Sequence, residues 1–200
     1  MDPLSLEQKM AQFHEFFTIK HQLSVNMTPV SDDFQLPNLE DLVGQMPYAF
    51  KIAAEVSNVD SQAIRPLRNL SEHAKDLTDF LNHQNKKIDL MMSYILQQQD
   101  DPQHRYMSVE FGGGGIILKR DAPLEEGTIV ELKVFLTEES AAVYCYSEVI
   151  KSEPVDDDYH IYLLFSRIRE EDQELLVRAS LHLQTLQLRA RSKQQNNDSN

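Results

Sequence analysis

From Ala63 to Ile95 apolar residues return at intervals of three and four through more than four heptads: Ala63, Leu67, Leu70, Ala74, Leu77, Leu81, Gln84, Ile88, Met91 and Ile95. A seam this regular fits a helix that buries a narrow stripe along a partner helix, and it commits much of the chain to one long helical element. With Leu67 at position a, the a set is Leu67, Ala74, Leu81, Ile88 and Ile95, and the d set is Ala63, Leu70, Leu77, Gln84 and Met91. Gln84 is the one large polar interruption, and a polar side chain in such a layer costs stability while fixing register. The competing reading is that the helix lies along its own domain, since Ile64, Phe80, Leu90, Met92 and Tyr94 widen the stripe. Self-association is the expectation, because covering one's own core does not require heptads of this length. The mixture of side chains at a and d does not select the number of strands or their orientation.

Two hundred residues, 41% hydrophobic and 26% charged, suit one soluble domain with an elaboration. The formal net charge of -13 opposes nucleic acid, since every phosphate contact works against the field of the whole molecule. No DNA or RNA partner is expected, and an anionic ligand needs a local basic pocket. No apolar run reaches the length of a membrane span, and Met1 to Lys9 lacks the regions of a signal peptide, so a cytoplasmic protein without membrane insertion is expected. Cys145, the single cysteine, excludes an internal disulfide and sits in an apolar strand pattern, which reads as a buried, inert thiol. The seven histidines, His14, His21, His73, His83, His104, His160 and His182, show no metal-ligand spacing. With no paired carboxylates, triad or phosphate loop either, no catalytic residue, metal or cofactor is expected.

Along the chain, Leu4 to Glu15 reads as a short amphipathic helix with Ser5 as its N-cap. From Phe17 to Met27 polar and apolar residues alternate, broken at His21, which predicts a half-buried strand ended by Pro29 and the turn chemistry of Ser31 to Pro37. Asn38 caps a helix with Glu40 and Asp41 in its first turn, and Pro47 divides the segment before Val56. Asp60 or Ser61 then caps the heptad helix, with Pro66 near its first turn, and Asp100, Asp101 and Pro102 close it. Strands follow at Arg105 to Phe111, Ile116 to Arg120, Ile129 to Leu136, Ala142 to Lys151 and Tyr159 to Ser166, the first two flanking four glycines. The connections fall at Glu125 to Gly127, Glu138 to Ser140 and Glu153 to Asp158, short enough for antiparallel meandering. A last helix runs from Glu170 to about Arg189 with Leu175, Leu176, Ala179, Leu183 and Leu186 on one side, and Ser192 to Asn200 is expected to be disordered.

One strand before a helical insertion and five after it, then a terminal helix, outline a small β-barrel. Phe17 to Val30, Asn85 to Leu90, Val109 to Leu118, Pro123 to Gly127 and Phe165 to Leu176, in this order and spacing, resemble a PilZ domain. The likeness is to the atypical, tetramer-forming PilZ group with long helices inserted after the first strand, and it covers most of the chain. It implies an α+β fold: a six-stranded antiparallel β-barrel carrying inserted coiled-coil helices and a C-terminal helix. In residues, that is one domain over 1–191, with a strand at about 17–30, an insertion at about 38–99, the remaining barrel at about 105–166 and a helix at about 169–190, before a tail at 192–200.

Typical PilZ domains bind cyclic di-GMP through an Arg-x-x-x-Arg stretch before the first strand and an Asp or Asn-x-Ser-x-x-Gly turn. Guanidinium forks read guanine edges and pair with phosphate, and the turn glycine lets backbone approach closely. Here the second element aligns with Glu110-Phe111-Gly112-Gly113-Gly114-Gly115, keeping the final glycine while the serine position is Gly112. The first has no counterpart: Glu15 to Gln22 contains no arginine and offers only Lys20 and His21, and lysine has no planar fork. The resemblance therefore gives Lys20, His21, Glu110, Gly112 and Gly115 as the remnant of a ligand site. The glycine run also reads as a bulge or turn, and Arg105, Arg167, Arg169 and Arg178 either form a substitute basic cluster or cover acidic surface. The expectation is a non-enzymatic signalling adaptor, a dimer or tetramer through Leu67, Leu70, Ala74, Leu77, Leu81, Gln84, Ile88, Met91 and Ile95, acting on an unidentified protein partner. Cyclic di-GMP binding is expected to be weak or absent. The alternative is a working cyclic di-GMP receptor built from non-standard residues.

Overall fold

The computed structural model describes residues 4–31, 33–56 and 75–197. In chain order these form α1 (Leu6–Phe13), β1 (Thr18–Lys20), β2 (Ser24–Pro29), α2 (Leu39–Gln45), α3 (48–56) and α4 (Lys75–Gln97). Then come β3 (Arg105–Gly112), β4 (Gly115–Arg120), β5 (Ile129–Leu136), a 3-10 turn (Thr137–Glu139), β6 (Ala141–Val155), β7 (Asp158–Arg167) and α5 (Glu170–Asn197). The first half of the seam, Ala63, Leu67, Leu70 and Ala74, lies outside the described residues, as do Asp60, Ser61 and Pro66.

The strands follow the order β1-β3-β2-β5-β6-β7-β4, and a β3–β4 pairing closes the ring. Because β1 and β2 both pair with β3, they form one interrupted stave, and the result is the six-stave antiparallel barrel that the alternation and the family resemblance imply. The single strand expected over 17–30 breaks at His21–Leu23. A bulge in β3 between Ser108 and Glu110 shifts the register there, and the Ser108 hydroxyl bridges the gap. It donates to the His21 carbonyl at 2.7 Å and accepts from the Leu23 amide at 2.7 Å.

Three apolar clusters explain the placing of the helices. Inside the barrel lie Val25, Met27, Phe111, Ile116, Leu118, Val130, Leu132, Val143, Cys145, Val149, Ile161 and Leu163, and α5 adds Leu176, Ala179 and Leu183 to them. Outside β5 and β6, Phe135, Ala142, Tyr144 and Tyr146 are covered by Leu42, Met46, Phe50, Ala53, Met92 and Leu96 of the inserted helices. On a third side Phe13 of α1 packs with Ile117, Ile150 and Leu164. Strand β6 is thus buried inwardly at Val143, Cys145 and Val149 and outwardly at Ala142, Tyr144, Tyr146 and Ile150. Cys145 is fully buried, and burial pushes its thiol pKa up.

Two boundaries differ from expectation. β6 and β7 run on through the stretch Glu153 to Asp158 and meet in a tight turn, with Asp156 at φ +54°. β5 stops pairing at Glu148, so Pro154, which lacks an amide proton, lies where β6 has only β7 beside it. At the C-terminus α5 continues helical to Asn197, into the stretch 192–200 given above as disordered. Composition identifies a segment with nothing to bury, but helix propagates cheaply from an anchored stem, one hydrogen bond for each residue added.

Candidate functional site

Strand pairing gathers four of the five residues of the degenerate ligand motif, Lys20, Glu110, Gly112 and Gly115. Lys20 on β1 lies opposite Glu110 on β3, and Thr18 lies opposite Gly112. The Glu110 carboxylate accepts a hydrogen bond from Thr18 Oγ1. Lys20 points its side chain to solvent while its carbonyl accepts from Gln187 Nε2 at 3.1 Å. His21 sits at the strand break, its amide donating to the Val109 carbonyl at 3.2 Å. Gly115 opens β4, paired with Leu164 on one side and, one step past the Phe111–Ile116 pair, facing Gly112 across the β3–β4 hairpin.

The glycine run is covered by the chain itself. Gly112 to Gly115 are all buried. A Cβ built on Gly113 would lie 2.6 Å from Val177 Cγ2 and 2.9 Å from the Phe16 ring, and one on Gly114 would lie 2.7 Å from the carbonyl oxygens of Gln12 and Phe13. At Gly112 and Gly115 the obstructing groups are the Phe17 and Leu163 carbonyls and the Phe13 ring. Among the described glycines only Gly127, at φ +88°, adopts a left-handed conformation. The four glycines therefore serve close approach, and what approaches them is residues 12–18, the β7 backbone at Leu163 and α5. Gln173 Nε2 completes the cover by donating to the Gly113 carbonyl at 2.8 Å.

Nor do the four arginines form a substitute cluster. Arg105 Nε pairs with Asp100 at 2.8 Å, Arg167 Nε donates to the Pro37 carbonyl at 2.8 Å, and Arg169 grips the buried Asp172 with two bonds of 2.8 and 2.7 Å. Arg178 stands apart on α5, lining a cavity of about 340 Å³ with Asp89, Glu139 and His182. Burial raises the Asp172 pKa and the Arg169 guanidinium opposes that rise.

The second candidate site is the outer face of α4. Met92 and Leu96 turn into the barrel-side cluster and Ile88 packs against its edge. Along the rest of the seam Leu77, Met91 and Ile95 are 53%, 58% and 39% exposed, while Leu81 and Gln84 are half-buried. Beside them Phe80, Leu90 and Tyr94 are more than half exposed. The helix's C-terminal end is held by a clamp that no sequence pattern marks. Asn26 of β2 donates to Asp100 Oδ1 at 2.8 Å and to the Asp101 carbonyl at 3.0 Å, and accepts from the Asp101 amide at 2.8 Å. Between this end of α4 and the 137–140 turn lies a half-open cavity of about 380 Å³, lined by Leu90, Tyr94, Phe135 and Thr137 among others.

The PilZ domain model matches residues 82–182, half of the chain. The chain belongs to the PilZ family. The match begins within α4 and ends within α5, so β1, with Lys20, stands outside it. Of curated proteins, the Flagellar brake protein YcgR of Thioalkalivibrio sulfidiphilus is 27% identical over 89 residues, 44% of this PilZ chain. The chain spans 36% of that relative's length. Among solved structures, a tetrameric PilZ domain from Xanthomonas campestris, described as self-assembled through a helical bundle, covers 90% of this chain over 96% of its own. Its TM-score is 0.55 and its identity 15%, a likeness of fold.

Proposed function

We propose that this PilZ-family protein is a non-enzymatic adaptor of the cyclic di-GMP network that self-associates through α4 and acts by protein contacts, without holding the dinucleotide in the usual PilZ manner. The observation that carries it is the exposed seam: Leu77, Met91 and Ile95 stand in solvent although Met92 and Leu96 of the same helix are buried in the monomer's own core. An apolar stripe of this extent marks an interaction site. The Xanthomonas campestris neighbour, whose helical bundle builds a tetramer, lends support through its shared fold.

Against the receptor alternative stand the missing guanidinium forks and the covered glycines. Each bidentate guanine contact contributes roughly 1–3 kcal/mol of discrimination, and Lys20 and His21 cannot replace two of them. The net charge of -13 opposes an anion further.

Light scattering on the wild type and on Leu77→Glu/Leu81→Glu, each with and without cyclic di-GMP, tests both halves of the proposal. Each seam leucine buried on assembly contributes about 1.5–3 kcal/mol, so the wild type should be an oligomer and the variant a monomer. Added dinucleotide should change neither. A wild-type monomer at tens of micromolar removes the assembly reading. A sub-micromolar dissociation constant by calorimetry in physiological salt replaces the adaptor with the receptor.

A further inference from the structure

Two more helix faces expose apolar residues, and they carry opposite charge. From Leu175 to Asn197 the sequence holds Arg178, Arg189, Arg191 and Lys193 and neither aspartate nor glutamate, in a chain with 32 acidic residues. The barrel-facing residues of α5 end at Leu183, and Gln187 makes the contact with Lys20 described above. Beyond it α5 continues to Asn197, roughly 15 Å at 1.5 Å per residue. Leu186 and Leu188, on either side of Gln187, are 40% and 55% exposed, and Arg189 and Arg191 enter no ion pair among the described residues.

The other face belongs to α2 and the start of α3. Leu39 and Val43, one turn apart, are exposed, and Tyr48 is 76% exposed. Glu40, three residues before Val43 and beside it on the helix surface, is exposed, and Asp41 is exposed farther round the helix. Leu42 and Met46, on the adjoining stripe of α2, are buried over β6.

These two faces cannot meet within one molecule. The basic end of α5 lies by β1, which pairs with β3, whereas α2 lies over β6. It is the start of α5 that lies near α2, since Arg167 just before it donates to the Pro37 carbonyl, and the helical rise from Glu170 to Gln187 carries the basic end roughly 25 Å away. We propose that the basic, leucine-bearing end of α5 in one copy docks on the acidic, apolar face of α2 in a second copy. The occupant fits in charge and in apolar character. A contact between different patches is head-to-tail, so it extends whatever the self-complementary α4 seam builds into a larger particle. Because the charges are solvent-exposed, the contact is weak alone and screened by salt.

Sedimentation velocity of the full chain at low and high salt reads this out. The wild type should show a species larger than the α4 oligomer that salt dissolves, and Arg189→Glu/Arg191→Glu and Glu40→Lys/Asp41→Lys should each lose it. Mixing the two variants restores opposite charges across the contact and should bring the species back. Lysines in the first turn of α2 oppose the helix dipole, so Tyr48→Ser, outside that turn, serves as a second probe and should weaken the same species. In the Leu77→Glu/Leu81→Glu background the salt-sensitive association should persist on a smaller base particle, which separates its failure from that of the seam. A wild type without the salt-sensitive species, mixed variants that fail to recover it, or an α5 end that instead binds anionic vesicles or duplex DNA would overturn the proposal.

Discussion

A methyl group on Gly115 would collide with the Leu163 carbonyl and lie 2.5 Å from the ring of Phe13. One of these obstructions is backbone in a paired strand and the other is a fully buried ring, so neither can yield cheaply. Gly115→Ala should therefore cost about 1–3 kcal/mol, the range for overpacking a filled core, and lower the melting temperature by several degrees. Gly44→Ala provides the control: nothing lies within 4 Å of its missing Cβ and it sits inside α2, so calorimetry should find it neutral or slightly stabilising. The glycine that the family motif would assign to a ligand is here occupied by Phe13, which is a packing role.

At the scale of elements, the C-terminal end of α4 is fastened to the barrel by Asn26. This side chain is 4% exposed and makes three hydrogen bonds to Asp100 and Asp101 just beyond the helix end. Asn26→Ala leaves the Asp101 amide without its partner, and an unsatisfied buried group costs about 1–3 kcal/mol. Hydrogen exchange should then accelerate across residues 94–101 while β5 and β6 keep their protection. Equal acceleration everywhere would make the clamp a global stabiliser instead. Much of this level was legible beforehand. The helix starts at Ser5 and Asn38 follow from cap chemistry, and both side chains do accept from first-turn amides. The break at His21 appears in the sequence as one missed beat of the alternation. The Asn26 clamp was not legible, because Asn26 falls on the polar phase of its strand and looks like any solvent-facing residue. Likewise no local pattern could show that residues 12–18 fold back over glycines some hundred positions later, since that contact is fixed only when the barrel closes.

For the molecule as a whole, alkaline pH is the sensitive direction. Burial raises the pKa of Cys145, Tyr144 and Tyr146 above their ordinary values, and Tyr162, also bonded to Glu153, is pushed up to about 12. A raised pKa means that the folded state keeps a proton that the unfolded chain releases, so the stabilisation is complete below the unfolded value and is lost as pH rises past it. The unfolded values are near 9.0 for the thiol and 10.0 for the phenols. Urea midpoints should stay level to about pH 8.5 and fall above it, with Cys145 alone contributing a slope of up to about 1.4 kcal/mol per pH unit. Cys145→Ser should shallow that fall. A midpoint indifferent to pH up to about 11 would mean that these groups are not sequestered as described.

The stave formed by β1 and β2 has a consequence for how the chain is made. Val25 pairs with Tyr106 on one side and with Val134 on the other. Both neighbours are synthesised long after β2, and at about 5–20 residues per second the nascent strand waits roughly five to twenty seconds for β5. During that interval Val25 and Met27, which end fully buried, have no barrel to enter, and the strand's amides and carbonyls have no ladder. Among the described strands β2 thus waits longest, from its own synthesis, for both of its partners. Exposure of this strand to wrong pairing is therefore longest on the ribosome, before β5 has been made to close over it.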